Sequence, residues 1–120
     1  MSHVVTVQTR LHDPAAVAAA CQRLGLEAPV HGTARVYSEE ATGLVVRLPG
    51  WEYPVVIDTL TGVVRYDNDD GYWGDPKQLQ RLMQSYAVEK VKLEARKKGC
   101  VVTEQALEDG RVRLQLRESP

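Results

Sequence analysis

Residues Pro76 to Lys98, PKQLQRLMQSYAVEKVKLEARKK, run without an interior glycine or proline and constrain the fold more than any other stretch. At about 100° per residue, Leu79, Leu82, Met83, Tyr86, Ala87, Val91 and Leu93 fall on one broad apolar arc. Asp75 stands as N-cap with Pro76 at the first helical position. Arg96, Lys97 and Lys98 complement the C-terminal dipole, and Gly99 is a natural residue on which to leave the helix. One long amphipathic helix therefore needs an apolar surface, which the rest of the chain must build.

That surface reads as β-sheet. HVVTVQTRL alternates, with His3, Val5, Val7, Thr9 and Leu11 on one face. Asp13-Pro14 then caps a short helix, AAVAAACQRLG, stopped by Gly25, and LEAPVHGT is a loop. ARVYS, GLVVRL, YPVVIDTL and VVRYD follow as strands broken at EEATG, PGWEYP and Thr61-Gly62. After the long helix, CVVTEQAL and RVRLQLR flank the turn Glu108-Asp109-Gly110. The expected fold is a single α+β domain over residues 1–120, of order β-α-β-β-β-β-α-β-β. It is one mostly antiparallel sheet with two helices packed on one face.

Composition excludes several classes. Phe is absent, so the core is aliphatic, and a formal net charge of −1 gives no global field toward nucleic acid or an anionic membrane. There is no membrane-spanning run and no signal-peptide layout at the start, so the expected compartment is cytoplasmic. Cys21 and Cys100 read as buried free thiols. His3, His12 and His31 form no metal-ligand pattern, and no phosphate cradle or nucleophile elbow occurs, so neither metal nor cofactor is expected.

The acidic stretch RYDNDDGYWGDP fails as a calcium loop. With Gly71 at position 6, Tyr66 and Lys77 fall where positions 1 and 12 need oxygen ligands. Asp67, Asp69 and Asp70 could serve acid–base chemistry, but no histidine, serine or cysteine stands near them in sequence. A turn at Asp70-Gly71 leading to the Asp75 cap explains more of the residues.

The MSH start, the Trp-Gly pair before the long helix and QSYA inside it resemble a domain-of-unknown-function family that includes a hypothetical reading frame of plastids and cyanobacteria. The resemblance spans nearly the full chain, although Val4 stands where that family has an aromatic. It implies an intracellular protein of bacterial or plastid type with no established catalytic residues. It also implies a possible link to AAA-type ATPase systems.

The function expected from the residues is a non-enzymatic protein-interaction component, a homodimer or an accessory subunit of a larger assembly. Its candidate contacts are Trp51, Tyr72 and Trp73 in loops, with Lys90 and Glu94 inside the apolar arc of the long helix. Val88, on the far side of that helix, would then face a second chain. Two alternatives come from other classes. One is nucleic-acid binding through an arginine-bearing sheet face of Arg10, Arg47, Arg111, Arg113 and Arg117. The other is a small enzyme using the acidic loop.

Overall fold

The structure, a computed structural model, describes residues 5–7 and 10–118. The MSH start, His3 and the ends of the first predicted strand lie outside the described residues. Among the described residues, seven strands and two α-helices follow in the expected order: β1 (Val5–Val7), α1 (Pro14–Arg23), β2 (Val30–Val36), β3 (Glu39–Val46), β4 (Val55–Asp58), β5 (Val63–Tyr66), α2 (Pro76–Lys97), β6 (Cys100–Ala106) and β7 (Val112–Glu118).

Both helices begin as their caps dictate. The Asp13 carboxylate accepts from the amides of Ala15 and Ala16, and that of Asp75 accepts from Lys77, each with proline next in the chain. One face of β3, β4 and β5 presents Val46, Val55, Ile57 and Val64. These close a buried core against Val17, Ala20 and Cys21 of α1 and Leu79, Leu82 and Tyr86 of α2. Both helices thus pack on one sheet face. Burial raises the Cys21 thiol above its ordinary value, whereas Cys100 is only half-buried.

The single sheet is a correction. The strands form two sheets, one of five in the order β1-β5-β4-β3-β2 and one of two, β6-β7. The cause lies on α2, which carries a second buried stripe, Ser85, Val88 and Ala95, recurring at helical spacing away from the Leu79–Leu82–Tyr86 stripe. The C-terminal hairpin folds back along α2 on that side. Glu104 of β6 pairs with Lys92 of α2 and with Arg23 of α1. A lone hairpin is marginal in water, so α2 is its stabilising layer. The molecule is accordingly long, 55 × 32 × 23 Å, with a radius of gyration of 15.3 Å against about 14 Å for a compact domain of this length.

The β2–β3 hairpin departs from the sequence reading too. The PVHGT part of the predicted loop and the EEATG break are mostly strand, and the turn is two residues, Tyr37-Ser38. Gly32 and Gly43, which read as breakers, face each other across the ladder. Pairing of β3 with β4 covers only Leu44 to Val46. Continued flat, residue 37 would lie past the Gly62 turn, some 30 Å from Tyr53 at about 3.3 Å per residue. Instead the Tyr37 and Tyr53 rings are 5.9 Å apart. The hairpin therefore folds back across the sheet face opposite the helices, burying Val36 and Ala41 against Val56 in a second small core.

Lys90 and Glu94 sit where α2 meets the start of α1. The Lys90 ammonium donates to Asp13 and to Glu94, each at 3.0 Å, and the Asp13 amide donates to the Tyr86 hydroxyl. The Lys90 hydrogen bond holds the Asp13 carboxyl below its ordinary 3.8, lowers Glu94, and is in turn what raises Lys90. Carboxyls depressed by folding stabilise the protein above their unfolded values and lose that contribution as pH falls through the folded ones. The raised lysine contributes below its unfolded value and loses that contribution only as pH rises through the folded one. Asp13→Asn keeps a capping oxygen but loses the ion pair. Urea unfolding from pH 7 to pH 2 is expected to show a shallower loss of stability in acid for Asp13→Asn than for wild type. Parallel curves would mean that the pair contributes nothing.

Candidate functional site

The two loops that carry the tryptophans use them differently. Trp51 turns inward. Its indole N–H donates to the Asp75 carbonyl at 3.0 Å, and its ring packs edge-to-face on Tyr66. It also covers Gly74, where a Cβ would lie 2.5 Å from the ring. Trp51 thus closes one end of the helix-side core and secures the start of α2.

Trp73 turns to the other side. Its indole N–H donates to the Asp67 carbonyl at 2.7 Å, and its ring meets two tyrosines, Tyr37 at 5.1 Å and Tyr53 at 5.9 Å between centroids. With Tyr37 and Tyr53 in edge contact as well, three rings from three separate loops form one cluster. The backbone under it is unusual. Tyr37 has φ +58°, a left-handed conformation that costs a bulky L-residue about 1–2 kcal/mol. The Arg35 side chain donates to the Tyr37 carbonyl at 2.8 Å and helps to hold it there. Tyr37 remains 39% exposed and the adjoining Tyr72 88% exposed.

The acidic loop supports this cluster from beneath. Asp67 is buried, and one of its carboxylate oxygens accepts from the Asp69 amide. Asn68 donates to the Gly74 carbonyl and accepts from the Trp73 amide through its own carbonyl. Asp69 and Asp70 both have positive φ, 47° and 53°, and the Trp73 carbonyl accepts from the Glu52 amide. The loop is knitted to itself and to the segment before Tyr53 by backbone bonds and by the Asp67 carboxylate.

The five arginines do not share one sheet face. Arg10 lies beside the Gly62 turn. Arg47 borders a trough of about 320 Å3 lined also by Val30, Ala34 and Val45 of the β2–β3 hairpin. Arg113 and Arg117 stand opposite Gln105 and Val101 on the outer face of the C-terminal hairpin, in the other sheet. Arg111 pairs with Asp109 at 2.5 Å and, with Lys77 and Arg81, borders a cleft of about 500 Å3 that Gln84 closes by bonding the Gly110 carbonyl. Splitting the sheet separates what the sequence had placed together.

Tyr72 and Trp73 are thus at the candidate site, whereas Trp51, Lys90 and Glu94 hold the fold. Among the described residues, no group of three His, Cys, Asp or Glu side chains could hold a metal, and no helix is long and apolar enough to cross a membrane. Sequence reasoning missed Tyr37 and Tyr53. Tyr37 sits in a two-residue turn that lacks the Asn-Gly or Asp-Gly signature, and only the folding back of its hairpin brings it to Tyr53. Compared with known proteins, the chain matches no family model, no curated protein and no solved structure.

Proposed function

We propose that this chain is a protein-interaction component, an accessory subunit that docks another protein on the Tyr37–Tyr53–Trp73 shelf. The observation that carries the reading is Tyr37, a large side chain held exposed on left-handed backbone. Such strain persists only where the surroundings hold it, and it concentrates at functional positions. The distribution of aromatics supports the same reading. The core is otherwise aliphatic, and of the seven aromatic residues Trp51, Tyr66 and Tyr86 serve it while three gather at the shelf with Tyr72 beside them. Tyrosine and tryptophan are the residues that most often carry binding energy at interfaces, because they offer large area at low rotamer cost.

The test is a crosslinked pull-down from the cells that make the protein, with wild type, Tyr37→Gly and the double variant Arg113→Ala/Arg117→Ala side by side. A stoichiometric partner captured by wild type and by the arginine variant, but lost with Tyr37→Gly, is the expected result. Capture that survives Tyr37→Gly and fails in the arginine variant would move the function to the C-terminal hairpin and to the nucleic-acid reading.

A further inference from the structure

Charge around the shelf has one predominant sign. Glu39 and Glu40 begin the strand that leaves the Tyr37 turn. Glu52 is bonded to the Trp73 carbonyl through its amide, and Asp69 and Asp70 stand in the loop under Trp73. Four of these five carboxylate side chains belong to exposed residues and Asp69 is half-buried. Against them stand Arg35, which faces Glu40 across the β2–β3 ladder and donates to the Tyr37 carbonyl, and Arg65, opposite Val56 in the β4–β5 ladder. The protein as a whole carries a formal charge of only −1, so this concentration is local.

From this we infer that the occupant of the shelf is an extended segment of another protein that carries arginine or lysine side chains. The inference rests on the docking reading above and adds the partner's chemistry. Aromatic faces attract cations through the ring quadrupole, arginine above all, and carboxylates a few residues away complete the charge match and speed encounter. Among the described residues, the Tyr37, Tyr53 and Tyr72 hydroxyls make no hydrogen bond within the chain, which leaves them for the carbonyls of such a segment.

Three twelve-residue probes test this by tryptophan fluorescence and calorimetry on the full chain: repeats of Arg-Pro-Pro, Gln-Pro-Pro and Glu-Pro-Pro. Two variants separate ring from charge. Tyr37→Gly removes the ring but also relieves the left-handed backbone, which offsets the lost ring packing, so the chain is expected to stay folded with a melting temperature close to that of wild type. Asp69→Asn/Asp70→Asn removes two charges with a residue that, among those carrying a Cβ, tolerates positive φ well. The expected result is binding of the arginine peptide about tenfold or more tighter than the glutamine peptide, loss of binding in Tyr37→Gly, and a weaker, less salt-sensitive affinity in the asparagine variant. Equal binding of the arginine and glutamine peptides, both lost in Tyr37→Gly, would overturn the cationic partner and leave the shelf as a docking site. Binding of the arginine peptide unchanged in Tyr37→Gly would place it elsewhere and overturn both. No binding of any probe would overturn the inference, while the pull-down would still decide the docking reading.

Discussion

Gly43→Ala is expected to destabilise the protein by about 3 kcal/mol, the upper end of what overpacking costs, and to take the aromatic shelf apart. A Cβ at Gly43 would lie 2.8 Å from the Ile57 carbonyl carbon and closer still to its oxygen. Both obstacles are backbone, so no side chain can rotate away to make room. The methyl must push β3 off β4 just where their pairing ends and the hairpin begins to fold back. Displaced there, the hairpin withdraws Val36 and Ala41 from Val56 and Tyr37 from Trp73. Urea unfolding would record the lost stability, and near-ultraviolet circular dichroism the loosened aromatic packing. Gly32→Ala is the control, since a Cβ there meets nothing within 4 Å, and it is expected to leave the shelf intact. Equal effects at both positions would show that the close approach at Gly43 does not shape the hairpin.

The second large effect is expected on α2, where two buried stripes divide the work. Leu82 is almost wholly buried between α1 and the five-stranded sheet, so Leu82→Ala is expected to cost about 2–5 kcal/mol through lost burial and a residual cavity. Val88 is buried on the other stripe, toward the hairpin. Val88→Asp is expected to free β6 and β7 rather than unfold the chain, because a charge there regains water as soon as the hairpin lifts away. Hydrogen exchange distinguishes the two. Leu82→Ala should lower protection throughout, whereas Val88→Asp should lower it in residues 100–118 and spare β3, β4 and β5. Loss of protection everywhere in Val88→Asp would mean that hairpin and main sheet unfold as one unit.

How much of this was legible in the sequence follows from how local each signal is. Both helices could be placed almost to the residue, because Asp13-Pro14 and Asp75-Pro76 are complete start signals within two positions. The turns at Gly62 and Gly110 could be read for the same reason, both glycines having positive φ. The β2–β3 turn could not. Tyr37 occupies a position where glycine is the usual residue, and the two real glycines of that region lie inside the strands, paired with each other. The second sheet left one trace, Val88 on the far side of the helix, which pointed to another chain although the protein's own hairpin occupies that side. Periodicity shows that a face will be covered and is silent on what covers it. The candidate site was half legible. The residues Tyr72-Trp73 stand out in an acidic loop, but their partners come from loops distant in sequence: the Glu52–Trp73 backbone bond brings Tyr53 to Trp73, and Tyr37 reaches them only because β3 bends away from β4.

The central claim is that the folded-back hairpin sets Tyr37 on Trp73 and Tyr53. The most direct test is a proton NOE spectrum of the protein in solution with the aromatic side chains assigned. Ring-to-ring cross-peaks from Tyr37 to both Trp73 and Tyr53, alongside Val36 to Val56, are the expected result. A Tyr37 ring at random-coil shifts with no contact to Trp73 would contradict the shelf, and the docking reading built on it would fall.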